Sequence, residues 1–244
     1  MDRMIFVAMS GAKQVALAQA TNNHNLANAS TPGFRADMDA FASLPVHGPT
    51  HASRVYVSDE RAGVDLDPGV ISATGRDLDV AVNGDGFIAV QARDGAEAYT
   101  RAGDLRVSAT GQISTGAGHA VMGNGGPIAI PPFERIQIGA DGTISIVPLG
   151  QSGSSLAVVD RIKLVNPPPD GIHKRADGLL GTQQPAEADA AVRLESGALE
   201  ASNVNTVEAL VDMIELARLF EMNVKTMHAA SENEAATNRL LALG

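Results

Sequence analysis

The stretch DLDVAVNGDG, residues 77 to 86, is rich in the carboxylate and amide oxygens that calcium-binding loops use. A helix-loop-helix calcium site needs an oxygen-bearing side chain at the fifth loop position, a glycine at the sixth and a closing acid at the last. Those three positions are Ala81, Val82 and Ile88. The stretch therefore predicts no calcium site.

Histidine and serine are the other residues whose spacing could support chemistry. No two of the six histidines stand at metal-ligand spacing on a predicted helix, and no serine lies in the glycine-flanked turn of a hydrolase nucleophile. The chain has no cysteine, which excludes disulfides and thiolate ligands. We therefore expect no catalytic residue, no metal and no cofactor.

Composition narrows the class of protein further. The 244 residues, 44% of them hydrophobic, suffice for one sizeable core and one smaller helical unit. A formal net charge of −10 without a basic cluster argues against nucleic-acid binding. No apolar run reaches membrane-spanning length, and the first residues lack the apolar block and cleavage site of a secretory signal. We expect neither membrane insertion nor a cleaved signal.

The amino-terminal segment has the spacing of a helix that packs on another helix. Apolar and small residues recur at alternating intervals of four and three, which predicts a helix over residues 3 to 27. Since the alanines of this seam bury little surface, the helix needs a partner. The seam positions on which we rely are Ile5, Met9, Ala12 and Ala16.

A stop signal follows this helix. The side chains of Asn25 and Asn28 compete for backbone groups at the helix end. Pro32 disfavours the helical conformation for Thr31. The chain is therefore expected to turn sharply here.

Gly33 and Phe34 complete the turn. Glycine can adopt the positive φ of a turn, and an aromatic side chain directly after it can pin the exit against an apolar surface. By spacing alone, this is either an ordinary boundary between helix and loop, with a core phenylalanine, or a turn with a function of its own. We expect a substitution at Gly33 to leave a neighbouring β domain unaffected.

A second helix is predicted from Thr206 onward. Asn205 and Glu208 fit a capping-box-like start, in which polar side chains satisfy the first backbone groups of a helix. The four-three spacing then recurs, so the two terminal helices present apolar stripes to each other or form part of one compact core. The seam positions of this helix are Leu210, Met213, Ala217, Phe220, Val224 and Met227.

The middle of the chain has the pattern of short strands. Residues 77 to 195 are rich in Gly, Val, Ile and turn dipeptides, which predicts an antiparallel β domain. The dipeptide Asp141-Gly142 separates two runs in which isoleucines alternate with polar residues, a strong hairpin signal. Residues 36 to 76 carry no sustained period and are predicted to be an extended connector.

Three segments of the sequence resemble the signature regions of the flagellar rod and hook proteins. They are NLANASTPGFRAD, then LDVAVNGDGFIAV followed by YTRAGDLRVSATGQI, and finally SGALEASNVNTVEALVDMIELARLFEMNVKTM. They stand in the family's order and cover most of the chain. The short length, STPGFRA and ARLFEM resemble proximal rod members most closely, with distal rod members as the alternative. Many members have paired asparagines before LAN, whereas His24 precedes Asn25 here.

The resemblance implies an α+β fold. Its terminal helices, in residues 1–35 and 196–244, would pair as a coiled-coil-like inner domain, and residues 36–76 would lead to a central antiparallel β domain over residues 77–195. The family motif assigns the two corners of the chain between these parts to a set of matching positions. They are Asn25, Asn28, Thr31, Pro32, Gly33 and Phe34 on the way out, and Asn203, Val204 and Asn205 on the return.

The function that the resemblance implies is mechanical and not enzymatic. Copies would polymerise with other rod proteins into the proximal rod of the basal body, a drive shaft and export channel across the periplasm. The subunit would be a partner of the flagellar export apparatus and would leave the cytoplasm by the flagellar type III pathway.

Two alternatives of other classes are a secreted wall-binding module and a wall hydrolase. A binding module would show exposed aromatic residues on its sheet, whereas the chain has no tryptophan and two tyrosines, Tyr56 and Tyr99. A hydrolase would need a catalytic acid in a cleft, and clearing of peptidoglycan by the purified chain would favour that reading.

Overall fold

The computed structural model of the chain describes residues 4–45, 55–150 and 156–242. The chain divides into two compact units. The first, which we call the helical unit, comprises Met1–Ala27, Asp37–Gly63 and Asn205–Gly244. The second, the β unit, comprises Asn28–Ala36 and Val64–Val204.

Two long helices form most of the helical unit. Helix α1 spans Met4–Ala27 and helix α2 spans Thr206–Ala242, which confirms the helices predicted at the two ends of the sequence. The Asn205 side chain accepts hydrogen bonds from the backbone N–H groups of Val207 and Glu208, at 3.1 and 3.4 Å. It thus caps α2 as its sequence position predicts.

The two helices pack against each other in opposite directions. Near the end of α1, the Asn22 amide donates to the carbonyl of Ala209 at the start of α2, at 2.7 Å. Further back on α1, a side chain at Gly11 would meet the Asn223 side chain, which lies further along α2. The small residue at this point lets the helices approach closely.

A pair of strands completes the helical unit. Strand β1, Asp37–Pro45, pairs with strand β2, Val55–Val64. Both lie in the segment predicted as an extended connector over residues 36–76, so a large part of that segment is strand. The absence of a hydrophobic period concealed this, because a two-stranded ribbon need not alternate buried and exposed residues as a core sheet does.

The β unit is built from short strands, and every strand pairing described for it is antiparallel. With the terminal helices this gives an α+β fold, as predicted. The strands are β3 Ile71–Ala73, β4 Val80–Asn83, β5 Phe87–Gln91, β6 Glu97–Thr100, β7 Leu105–Val107, β8 Ile113–Thr115, β9 Ala120–Val121, β10 Phe133–Ile138, β11 Thr143–Pro148, β12 Ala157–Arg161, β13 Leu164–Val165, β14 His173–Lys174, β15 Leu180–Gly181, β16 Arg193–Ser196 and β17 Ala198–Glu200.

The β unit contains one large sheet and several smaller ones. The strands of the large sheet run in the order β14-β15-β6-β5-β9-β8-β7, and β13 also pairs with β5. A three-stranded sheet has the order β10-β11-β12, and two further pairs join β16 to β4 and β17 to β3. These last two pairs bring the end of the β unit back beside its beginning.

The hairpin predicted at Asp141-Gly142 is confirmed. It joins β10 to β11, and the isoleucines pair across it as Ile136 with Ile146 and Ile138 with Ile144. All four are buried in the main core of the β unit. The Asp141 carboxylate accepts from the Thr143 backbone and hydroxyl, at 3.1 and 2.7 Å, which fixes the turn.

Candidate assembly sites

Asn25 fastens the end of α1 to the start of β1. Its amide nitrogen donates to the carbonyl of Asp37, and its amide oxygen accepts from the Asp37 N–H, both at 2.9 Å. The side chain thus makes the pair of hydrogen bonds that a neighbouring strand would make. Beside it, His24 Nδ1 lies 2.9 Å from the Asp37 carboxylate, so the residue that departs from the family pattern contacts the same strand end.

We expect Asn25→Ala to weaken this junction by about 1 to 2 kcal/mol, because it removes both hydrogen bonds and leaves the Asp37 backbone groups without them. Amide hydrogen exchange at Asp37 measures the effect, and its protection should fall roughly 5- to 30-fold. Asn23→Ala is the matched control, since Asn23 is exposed on the same helix. Equal exchange at Asp37 in both variants would contradict the role assigned to Asn25.

The turn at residues 28–36 belongs to the β unit. Thr31 bonds back to Asn28 through its backbone, at 3.0 Å, and through its hydroxyl, at 3.2 Å. Gly33 has a φ of +65°, as its place in the turn predicts. Its N–H donates to the backbone carbonyl of Glu200 at 2.8 Å. The expectation that a substitution at Gly33 leaves the β domain unaffected is therefore wrong, because this glycine is bonded inside that domain.

The aromatic residue after the turn is held from two sides. Phe34 is buried, and the Lys174 ammonium lies 4.0 Å from the centre of its ring. The same ammonium donates to the carbonyl of Arg35 at 2.8 Å. Pro32 is half-buried and Thr31 is exposed. The exit of the turn is thus fixed by packing, by a cation–π contact and by a backbone hydrogen bond.

Asn203 joins the returning chain to the outgoing turn. Its N–H donates to the Phe34 carbonyl at 3.3 Å, and its side-chain oxygen accepts from the Ala36 N–H at 2.8 Å. Its side-chain nitrogen lies 3.2 Å from each of the carbonyls of Asp65 and Asp67. One amide thereby ties three separate segments of the β unit together.

Val204 follows Asn203 at this point. It is half-buried, and its N–H lies 3.2 Å from the Ser202 hydroxyl oxygen. Asn205, the last residue assigned to this corner, caps α2.

A buried group of charges lies beneath this junction. Glu200 is 1% exposed. Its carboxylate pairs with two arginines, Arg35 at 2.6 Å and Arg101 at 3.1 Å. It also accepts a hydrogen bond from the Gly69 N–H at 2.8 Å. We call Arg35, Arg101 and Glu200 the charge cluster. A carboxylate in this position stabilises the β unit only because both of its oxygens are occupied by donors.

The charge cluster holds two positive charges against one negative charge. Burial lowers the pKa of the Arg101 guanidinium, the Glu200 carboxylate raises it again, and the Arg35 charge lowers it. Arg101 also donates to the carbonyls of Val82 and Gly84, at 3.3 and 2.7 Å. Among the described residues, Nε and Nη1 of Arg35 and Nε of Arg101 are buried without a hydrogen-bond partner. Glu200 is therefore the counter-ion on which both arginines depend.

The sequence did not identify the charge cluster, although each of its residues lies in a segment quoted for the family resemblance. Arg35 lies in GFRAD, Arg101 in YTRAG and Glu200 in SGALEASN. The signal that was available is a charged residue among small and apolar neighbours. Such neighbours indicate burial, and a charged residue is rarely buried unless it is paired. The pairing itself joins residues far apart in sequence and so could not be inferred from spacing.

The predicted helix seams are distributed unevenly between buried and exposed positions. The residues of α1 with the least exposure are Ala8, Ala12 and Ala18, and the only residue of α2 classed as buried in the described range is Ala209. A strict four-three repeat follows about 3.5 residues per turn, whereas a straight helix has about 3.6, so the two drift apart along the helix. Of the seam positions, Ala12 is buried, Ile5, Met213, Val224 and Met227 are half-buried, and Met9, Ala16, Leu210, Ala217 and Phe220 are exposed.

Each helix also carries a row of exposed large apolar residues. We call the row on α1, with Phe6 53%, Met9 55% and Leu17 42% exposed, the α1 stripe. The residues of each row lie near one another on one side of the helix, given about 100° of rotation per residue. Apolar surface of this extent is typical of a face that another molecule covers. The α2 stripe consists of Val207 70%, Val211 51%, Ile214 52% and Met222 54%.

Sites of other kinds are not found in the described parts of the chain. No group of three or more His, Asp or Glu residues there is placed to hold a metal ion. No described helix combines the length and the apolar character that crossing a membrane requires. The features that remain are the junction of the two chain corners and the two exposed stripes.

Comparison with known proteins finds relatives over the whole chain. A profile described as "Flagellar basal body rod FlgEFG protein C-terminal" matches residues 195–240, and one described as "Flagellar hook protein FlgE/F/G D1 domain" matches residues 81–146. The flagellar basal-body rod protein FlgF of Salmonella typhimurium is 45% identical over 100% of both chains. The FlgF protein of Escherichia coli is 43% identical, also over 100% of both. The flagellar basal-body rod protein FlgG of Bacillus subtilis is 30% identical over 95% of this chain and 96% of its own.

Proposed function

We propose that this chain, which belongs to the flagellar basal-body rod protein family, is a structural subunit of the rod in the bacterial flagellar basal body and acts in motility. The identity of 45% over the full length of a rod protein supports this role. The names of the relatives are those of rod proteins, which is consistent with a structural role and not a catalytic one. The exposed surfaces of its two helices give a physical reason for such a subunit to assemble.

The observation that carries the proposal is the exposure of the two stripes. The residues of the two stripes are between 42% and 70% exposed, although both helices also pack on each other. Covering one such side chain contributes about 1.5 to 3 kcal/mol before ordering costs. A subunit that exposes a different stripe on each helix can make head-to-tail contacts, and contacts that do not close generate a helical assembly.

The finer features of the role are part of the same proposal. The subunit takes a proximal position in the rod, which crosses the periplasm as a drive shaft and export channel, and the helix pair forms its coiled-coil-like inner wall. Other rod proteins, further copies of the chain and the flagellar export apparatus are its partners. It reaches the periplasm by the flagellar type III pathway. STPGFRA and ARLFEM, which resemble proximal rod members most closely, support the proximal position over the distal one.

The variant Ile214→Asp tests this proposal. Ile214 is 52% exposed, so the free subunit should keep its stability within about 0.5 kcal/mol. In the rod the new carboxylate would be buried against apolar surface without a partner, which costs several kcal/mol. We expect electron microscopy of basal bodies from this strain to show no completed rods, and the cells to be non-motile.

Asn233→Asp is the matched control for this test. Asn233 is exposed on the same helix, and the substitution adds the same charge without removing apolar area. This strain should swim normally, and export of both variants is measured separately by immunoblotting. Complete rods in the Ile214→Asp strain would exclude a buried position for the α2 stripe.

A further inference from the structure

We propose that Asn124 is a site of spontaneous covalent modification, at which the asparagine side chain closes on the backbone of Gly125, loses ammonia and leaves an aspartyl or isoaspartyl residue. The modification is independent of the proposed rod function. It depends on the local structure of one turn in the β unit, at residues 123–126.

The reaction is a ring closure followed by hydrolysis. The backbone nitrogen of the residue after the asparagine bonds to the side-chain carbonyl carbon, and the bond from that carbon to the amide nitrogen breaks. The departing nitrogen takes the backbone proton and leaves as ammonia. Water then opens the five-membered imide at either of its two carbonyls, which gives aspartate from one opening and isoaspartate from the other. A following glycine favours ring closure, because no Cβ obstructs the approach of its nitrogen.

Two asparagines of the chain precede a glycine, Asn83 and Asn124. Ring closure requires rotation about the Cα–C bond of the asparagine, so that the following peptide group swings toward the side chain. The fold therefore discriminates between the two sites by how firmly it holds that peptide group.

The backbone around Asn83 is held on both sides. Asn83 is the last residue of β4 and pairs with Arg193 of β16. The carbonyls of Val82 and Gly84 both accept hydrogen bonds from the buried Arg101 guanidinium, at 3.3 and 2.7 Å. Swinging the peptide group after Asn83 would pull the Gly84 carbonyl away from a charged, buried donor, which is unfavourable.

The backbone around Asn124 is held at the two ends of its turn. The Gly123 N–H donates to the Gly126 carbonyl at 2.7 Å. Between them, Asn124 and Gly125 are exposed, and neither forms a hydrogen bond with any residue that the structure describes. A Cβ at Gly125 would meet nothing within 4 Å. The peptide group that must swing therefore has room to do so and no such bond to break.

The isoaspartyl product would disturb this turn. In isoaspartate the main chain runs through the former side chain and gains one carbon, so the link between Gly123 and Gly126 becomes longer. The next hydrogen bond beyond the turn joins the Ile128 N–H to the Val121 carbonyl at 2.9 Å, and both of these residues are buried in the core. Amide hydrogen exchange at Ile128 should therefore be faster in the modified chain.

Peptide mapping of the full-length protein tests the modification. The folded chain and the chain unfolded in urea are incubated in parallel in mildly alkaline buffer and digested. Mass spectrometry then measures, at each site, the mass gain from replacing the amide by a carboxyl group. In the folded chain we expect Asn124 to react at least about tenfold faster than Asn83, because only Asn83 must first break its contacts. In urea the two sites should react at similar rates.

Gly125→Ala is the matched control. The site has room for the new Cβ and Gly125 does not adopt a positive φ, so the variant should fold like the wild type. Its Cβ hinders ring closure, and modification of Asn124 should slow by at least about tenfold both in the folded chain and in urea. Three results would each overturn the assignment: equal rates at Asn83 and Asn124 in the folded chain, no modification of Asn124 there, or an unchanged rate in Gly125→Ala.

Discussion

Glu200→Ala is expected to destabilise the β unit by about 3 to 5 kcal/mol, the cost of breaking a buried ion pair by removing one partner. The substitution leaves the guanidinium groups of Arg35 and Arg101, which are 3% and 4% exposed, without a counter-ion. It also removes the acceptor of the Gly69 N–H. Thermal unfolding followed by circular dichroism should show a midpoint lower by roughly 6 to 20 °C.

The matched control for Glu200→Ala is Glu195→Ala. Glu195 is exposed on β16, the strand that precedes the one carrying Glu200. It forms none of the ion pairs found among the described residues. Its removal should change the free energy of unfolding by no more than about 0.5 kcal/mol. A Glu200→Ala variant that unfolds with the midpoint of the control would show that the charge cluster contributes little to the β unit.

The elements that the sequence predicted are those whose signals are local. The two terminal helices, the Asn205 cap and the hairpin at Asp141-Gly142 each depend on residues within a few positions of one another, and the structure has all of them. Hydrogen bonds within a helix turn or across a tight hairpin are set by the same short stretch that carries the signal. The positive φ of Gly33 is predictable for the same reason.

The features that escaped prediction depend on residues far apart in sequence. Glu200 meets Arg35 and Arg101 across separations of 165 and 99 residues, so no periodicity indicates the contact. Asn203 was assigned to the returning corner by resemblance alone, and its bonds to residues 34, 36, 65 and 67 are long-range as well. The pairing of β1 with β2 escaped because no alternation of apolar and polar residues continues through both strands.

These long-range contacts give the corner of the chain a physical role. Inside the β unit, the turn at residues 28–36 is hydrogen-bonded to Asn203. The backbone carbonyl of Glu200 accepts a hydrogen bond from this turn as well, and its carboxylate pairs with Arg35. The turn at residues 28–36 follows the end of α1, and Asn203 lies just before the start of α2. A folded β unit therefore keeps the exit toward α1 and the entry to α2 close together, which lowers the entropy cost of pairing the helices.

Gly33→Ala should be more damaging than its size suggests, with a loss of more than about 3 kcal/mol in the stability of the β unit. Two effects add at this position. The φ of +65° is unfavourable for any residue with a Cβ, at about 1 to 2 kcal/mol. In addition, a Cβ there would meet the backbone of Arg101 and Ala102, which cannot rotate away as a side chain can.

Gly95→Ala separates these two effects. Gly95 also lies in the β unit with a positive φ, of +85°, but a Cβ there would meet nothing within 4 Å. This control should lose only the conformational term of about 1 to 2 kcal/mol. Urea unfolding of both full-length variants measures the difference, and equal losses would mean that the Arg101 segment yields without cost. A larger loss of stability for Gly33→Ala would show that Gly33 lies where two segments of the β unit are in backbone contact. Motility should then be lost in the Gly33→Ala strain and kept in the Gly95→Ala strain.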